Sequence, residues 1–351
     1  MTIPDIFHTY KRLRTLQTHR IMALPIVILM PHSACNCRCV MCDIWKDNKN
    51  LKQLNENDIA GLLQSLKKFG TRQVLMSGGE ALLNPNFFRL CAMLQKEGIK
   101  ITLLSTGLSI KKNADNILQY VDEIIVSLDG DEKLHDSIRN IPGAFQKLRE
   151  GVQHIKSIVS AFPISARTVI HRLNYGHWAL IIDAAREMGL NSISFLPADV
   201  SSNAFNREQA WLPEKQNELL IPLEDLPELN HMIDHLIANY KYSFDTGFIA
   251  ESPEKISKIY GYYAAFHGLN PFPFKKCNAP WVSTVIEADG TVRPCFFLDA
   301  IGNIRNDTLE NIVNSRSSIN FRKGLDTDKN STCEKCVCYL NLSPLTQLPG
   351  R

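Results

Sequence analysis

Six short apolar runs recur between residues 26 and 197, each followed by an amphipathic stretch, and this alternation constrains the fold more than any other feature. The runs are IVILM (26–30), RQVLMS (72–77), IKITLLS (99–105), EIIVSL (123–128), ISARTVI (164–170) and SISFL (192–196). Between them lie ENDIAGLLQSLKKFG, NPNFFRLCAMLQKEG, KKNADNILQY, GAFQKLREGVQHIKSIV and HWALIIDAAREMG, whose apolar residues recur at helical spacing. Several end in Gly, the residue that most readily adopts the left-handed cap of a helix C-terminus. Strands separated by helices predict a parallel α/β fold, either doubly wound or an incomplete barrel.

The chain has 351 residues, 44% of them hydrophobic, enough for a substantial core. A net charge of +3 with 21% charged residues gives no field suited to nucleic acid. The basic residues Lys11, Arg12, Arg14, His19 and Arg20 read as a solvated helix face. The run IMALPIVILM (21–30) is too short to span a bilayer and reads as a buried strand. No membrane span is expected.

Ten cysteines is a high count, and nine fall into two groups: Cys35, Cys37, Cys39 and Cys42, then Cys277, Cys295, Cys333, Cys336 and Cys338. Bunched thiols in a chain of this length predict metal binding rather than disulfides. Cys91 stands alone in a helical pattern and is expected in the core. Cys35, Cys39 and Cys42 are spaced C-x3-C-x2-C directly after the first run. Three thiolates on one loop can hold three irons of a [4Fe–4S] cube and leave the fourth open. With Cys37 as a fourth ligand, zinc is the alternative.

Polar residues gather at the ends of the following strands. The second run ends in Ser77-Gly78-Gly79-Glu80, where glycines allow close approach and a carboxylate can receive an ammonium group. The third ends in Ser105-Thr106-Gly107, and the fourth carries Ser127 and Asp129. Hydroxyls at one end of apolar strands suit a polar ligand lying across that end. Arg139, taken by itself, reads as a surface charge.

These features, in this order, resemble the radical S-adenosylmethionine superfamily over about residues 26–200. The resemblance implies Cys35, Cys39 and Cys42 as cluster ligands, with Met41 at the hydrophobic position before the last cysteine. It implies Ser77, Gly78, Gly79 and Glu80 for the methionine amino group, although Ala81 stands where Pro is common. It further implies Ser105, Thr106, Ser127 and Asp129 near the cofactor, and Arg139 toward its carboxylate. Leu196 and Pro197 are placed near the adenine by position alone. The implied fold is a partial (β/α)6 TIM-like barrel with a small C-terminal cysteine-rich α+β extension.

In that extension, VSTVIEADGTVRPCF reads as a hairpin with Asp-Gly in its turn. Four thiolates, Cys277, Cys295, Cys333 and Cys336, fit a closed site for zinc or for a cluster. The pattern resembles a SPASM/twitch extension, which implies one auxiliary [4Fe–4S] cluster. Cys338 is then left over; it and Cys37 are hydrogen-donor candidates.

The expected organisation is a helical lead-in (1–25), the barrel (26–200), a bridging segment that shapes the substrate pocket (201–276) and the auxiliary unit (277–351). The resemblance implies an enzyme that reductively cleaves S-adenosylmethionine to a 5′-deoxyadenosyl radical, with the electron supplied by a flavodoxin- or ferredoxin-type reductant, and abstracts a substrate hydrogen. With only 34 residues before Cys35, oxidation of a sugar- or cyclitol-like alcohol is the leading expectation. The alternative is a maturase or epimerase of a ribosomally made peptide. An electron-transfer iron–sulfur protein or a zinc protein would need neither Glu80 nor an open iron. Oxygen-sensitive clusters and reduced thiols imply a cytoplasmic setting.

Overall fold

Every apolar run forms a strand. In the computed structural model, which describes residues 3–207 and 209–348, these are β1 (Ile26–Leu29), β2 (Gln73–Met76), β3 (Lys100–Ser105), β4 (Glu123–Ser127), β5 (Ile164–Ile170) and β6 (Ser192–Pro197). The outermost residues of the expected lead-in and auxiliary unit, and Glu208 of the bridging segment, lie outside the described residues. Neighbours in sequence pair in parallel, each in register with the next. Parallel pairing requires a crossover, and the amphipathic stretches supply it.

Helices α1 (Ile3–Thr18), α2 (Glu56–Phe69), α3 (Phe87–Gln95), α4 (Ala114–Tyr120), α5 (Glu132–Arg139), α6 (Ala144–Ile158) and α7 (Trp178–Glu187) precede or connect these strands. Local chemistry fixes their ends. The Asn55 side chain accepts from the Asn57 and Asp58 N–H groups, Asp58 caps back, and Gly70 closes α2 in a left-handed conformation. Helix α5 was not evident from periodicity. It is set by its caps: the Asp131 side chain accepts from Leu134 N–H, and Asn140 adopts φ 51°.

The strand faces packed under the helices are fully buried: Val27, Val74, Met76, Ile101, Leu103, Ile124 and Val126. Each such side chain contributes roughly 1.5–3 kcal/mol by leaving water. The expected partial barrel is present and does not close.

The sheet continues beyond β1. Strand β7 (Ser283–Ile286) pairs in parallel with β1, and β8 (Thr291–Arg293) and β9 (Gly302–Asn303) follow antiparallel. The order is β6-β5-β4-β3-β2-β1-β7-β8-β9. The C-terminal extension is therefore stitched to the barrel through β1, and Met30 N–H donates to Ile286 O at 2.8 Å. The expected hairpin is β7–β8, turned at Glu287–Gly290 with Gly290 at φ 86°.

One expectation about α1 is corrected. Arg12 is buried, and its guanidinium donates to the carbonyls of Pro344 and Thr346, tying the N-terminal helix to the C-terminal segment. In the bridging segment, the helix Pro253–Phe266 lies over the ends of β5 and β6. There Tyr263 Oη donates to Ile170 O at 2.5 Å and Tyr262 Oη to Ala198 O at 2.9 Å.

Candidate active site

The loop after β1 carries Cys35, Cys37, Cys39 and Cys42, and its seat is built by the end of β2. Glu80 N–H donates to Ala34 O at 2.9 Å, and a Cβ on Gly79 would lie 2.2 Å from that oxygen. Only glycine lets the two backbones meet this closely. The glycines thus bring the end of β2 against the cysteine loop itself, an approach the sequence reading assigned to a ligand.

Glu80 is fully buried and draws three segments together. Its carboxylate accepts from Thr106 N–H at 2.8 Å, Thr106 Oγ1 at 2.7 Å, Ser105 Oγ at 3.1 Å and Leu82 N–H at 3.2 Å. Burial pushes its pKa up, and these donors oppose that shift. Thr106 Oγ1 also lies 2.9 Å from Asn36 Oδ1 in the cysteine loop. Ser105 and Thr106 therefore brace Glu80 directly.

Asp129 and Arg139 form a buried ion pair at 2.5 Å, and Arg139 Nη1 donates to Cys39 Sγ at 3.4 Å. A surface position for Arg139 is excluded by its burial. Asp129 also accepts from Val169 N–H at 3.3 Å, linking the pair to β5. Ser127, at the end of β4, sits in register with Arg167 of β5.

The thiols divide by environment. Burial pushes Cys35 and Cys42 up to about 12. Cys39 is drawn down to about 6 by the hydrogen bond from Cys37, with the Arg139 charge adding to it. Cys37 is raised by the same contact and is 1% exposed. Burial beside Cys39 leaves Cys37 away from the open cleft described below.

Sequence reasoning missed a second support under this loop. Arg207 pairs with Asp199 at 2.7 Å, with side chains 1% and 3% exposed, and donates to Met41 O at 3.3 Å. Its guanidinium stacks 3.8 Å from the Trp211 ring, and Trp211 Nε1 donates to Asp43 at 2.7 Å. Phe205 packs edge-on against Phe296, next to Cys295, with centroids 5.0 Å apart. Residues 199–211 thus join both cysteine segments. They lie in an aperiodic polar stretch, and no local signal marks them.

The five C-terminal thiols converge. Cys277, Cys295, Cys333, Cys336 and Cys338 line one recess of about 460 Å³. Among the described residues no three His, Cys, Asp or Glu groups close to single-ion distances. Four thiolates of this recess have the donor chemistry for a closed site, a zinc ion or a cluster alike. The three thiols on the β1 loop have the donor chemistry for a cluster with one open iron.

Beside the recess opens a larger cleft of about 670 Å³. Arg167, Phe195, Leu196 and Pro197 from β5 and β6 form one wall, and Cys336, Val337, Cys338 and Tyr339 another. Cys338 lines both spaces. Leu196 and Pro197, expected at the adenine, line this cleft.

Comparison with known proteins agrees with this geometry. Residues 29–195 match the Radical SAM superfamily, and residues 277–337 match the SPASM iron-sulfur cluster-binding domain. The chain belongs to the radical S-adenosylmethionine enzymes that carry a C-terminal SPASM domain. Its cofactors are accordingly a [4Fe–4S] cluster with S-adenosylmethionine and an auxiliary iron–sulfur cluster.

The AdoMet-dependent heme synthase of Methanosarcina barkeri is 24% identical over 326 residues, 87% of each chain. The subtilosin biosynthesis protein AlbA of Bacillus subtilis is 23% identical over 293 residues, 80% of this chain and 57% of AlbA. Streptococcus suis SuiB, solved bound to the precursor peptide SuiA, superposes with a TM-score of 0.64 at 16% identity. That likeness covers 95% of this chain and 72% of SuiB and shows the shared fold. Among the described residues no helix is long and apolar enough to cross a membrane.

Proposed function

We propose that this enzyme modifies a peptide, which it holds in the cleft between the two cysteine sites. The observation that carries the reading is the cleft itself. One wall belongs to β5, whose Val169 N–H holds the Asp129 of the Arg139–Cys39 chain; the other holds Cys336 and Cys338. A substrate there lies against the auxiliary thiols and against the strand that carries Val169, the partner of Asp129. The names of AlbA and of SuiB with its precursor peptide favour a peptide over the sugar- or cyclitol-like alcohol expected from the sequence.

In this reading Cys35, Cys39 and Cys42 hold the first cluster, and Cys277, Cys295, Cys333 and Cys336 hold the auxiliary one. With S-adenosylmethionine bound, the first cluster supplies a hydrogen-abstracting radical, fed by a flavodoxin- or ferredoxin-type reductant. The protein's residues position and shield. Ser77–Glu80, Ser105, Thr106, Ser127, Asp129 and Arg139 form the shell assigned to the cofactor, and Met41 closes the loop beneath Arg207. Arg139 keeps a fixed positive charge at Cys39. The apolar wall at Phe195, Leu196 and Pro197 limits water, which protects a reactive intermediate. Cys338, which lines the cleft, is the thiol assigned in this reading to return a hydrogen atom to the substrate radical; the thiyl radical left behind is reset by one electron from the reductant and a proton, and the net change at the substrate is an epimerisation.

A non-peptide substrate is the second reading, favoured by the alignment to the heme synthase along 87% of both chains. One experiment separates the two. Reconstituted enzyme is incubated anaerobically with S-adenosylmethionine, reductant and a random peptide pool, Fe-coproporphyrin III or myo-inositol. 5′-Deoxyadenosine that rises with peptide, together with a changed peptide mass, supports the proposal. A rise only with the porphyrin or the cyclitol overturns it.

A further inference from the structure

The cleft is cationic. Among the described residues Arg167, Lys255, Lys258 and Lys275 line it, against a single carboxylate, Glu251. Glu251 is already committed: one oxygen accepts from Phe195 N–H at 2.9 Å, and the other lies 3.4 Å from Lys255 Nζ. Lys275 is anchored too, donating to Glu334 O at 2.6 Å and Cys336 O at 2.8 Å. It fixes a positive charge beside the auxiliary thiols. Lys258 pairs at 3.2 Å with Glu254, which is 82% exposed and lies outside the cleft lining. Among the described residues Arg167 has a single weak contact, Nε to Ser194 Oγ at 3.4 Å, and no carboxylate partner.

A half-buried arginine whose fork faces an open cleft is free to take a carboxylate in bidentate fashion. Lys255 also lies 5.4 Å from the Tyr339 ring, so the cations span the cleft from β5 to the auxiliary segment. Scattered surface lysines on a solvated face would not converge from a strand, a helix and a loop on one concavity.

We infer that this cleft contains an anion-recognition subsite, Arg167 with Lys258 and Lys255, that takes a carboxylate of the substrate. Resting on the peptide reading, the group is an acidic side chain or the C-terminal carboxylate. Arg167 offers the planar fork that pairs with both carboxylate oxygens, and the lysines supply adjustable charge. Fixing the carboxylate there orients the neighbouring backbone between the two cluster sites.

The test uses cluster-loaded enzyme with S-adenosylmethionine and three fluorescein-labelled peptides: hexaglutamate, hexaglutamine and hexalysine. Anisotropy reads peptide binding, and calorimetry reads propane-1,2,3-tricarboxylate and inorganic phosphate. Expected are binding of hexaglutamate but not of the other two, weakening with salt, and a loss of about tenfold in Arg167→Gln and in Lys258→Gln. Lys258 is half-exposed and, among the described residues, its ammonium pairs only with the exposed Glu254, so its variant reads out even if Arg167→Gln fails to fold. Tricarboxylate binding that both variants weaken, without competition from any peptide, keeps the subsite and removes the peptide reading. Hexaglutamate and hexaglutamine binding alike, unchanged affinity in both variants, or a preference for phosphate would overturn the inference.

Discussion

Arg139 places a guanidinium hydrogen on Cys39 Sγ, at 3.4 Å, in the middle of the cysteine loop. The same guanidinium holds the buried Asp129 at 2.5 Å. A fully buried pair of this kind is expensive to desolvate and is stable only while both partners remain.

Arg139→Met should therefore cost about 3–5 kcal/mol of folding stability, because it strands Asp129 without compensation. The double variant Asp129→Asn/Arg139→Met should lose less than the sum of the two single changes. Urea unfolding of all three measures the coupling; strict additivity would show that the pair is not linked.

Gly79→Ala drives a methyl group into the Ala34 carbonyl, which would lie 2.2 Å away. The backbone must move, at a cost of about 1–3 kcal/mol. Iron at the first site should fall while the C-terminal site keeps its own. Iron and sulfide assays after anaerobic reconstitution decide this, and unchanged loading would mean that the contact does not seat the loop.

The cluster count is itself a test. The wild type should bind about eight irons per chain, and the Cys35/Cys39/Cys42→Ala triple variant about four. About four in the wild type, with zinc at the C-terminal thiols, would overturn the assignment of a cluster to that site.

Burial holds His135 and His171 neutral, each with its pKa lowered to about 3 and the Arg139 charge adding to the effect. In the unfolded chain both titrate near 6.5, so below that pH the unfolded state binds more protons. Stability should fall as pH drops from about 6.5 toward about 3, by roughly 2 kcal/mol per histidine at pH 5. His135→Asn preserves an acceptor for Asp129 N–H, which reaches Nδ1 at 3.2 Å. It should flatten the slope by about half. A pH-independent unfolding midpoint between 5 and 7 would contradict this.

Much of the barrel was legible because its signals are local. The apolar runs match β1–β6 to within a residue or two at their ends, since period and length discriminate buried strands from amphipathic helices. The cysteine spacings were legible for the same reason. Helix α5 was not, because its eight residues are set by Asp131 and Asn140 at the two ends rather than by a long apolar face. Ser105 and Thr106 were legible as polar strand-end residues; that both hydrogen-bond to Glu80, on another strand end, was not.

By itself, the sequence determined the parallel α/β architecture and the two thiol groups, because hydrophobic periodicity and short ligand spacings act over a few residues. Tertiary structure alone decided that β7 pairs with β1, that Arg207 supports Met41, and that Arg167 shares a cleft with Cys338. Such contacts join residues far apart in the chain. Their identity depends on which surfaces remain unpaired after the local elements form, and no single stretch of sequence records that.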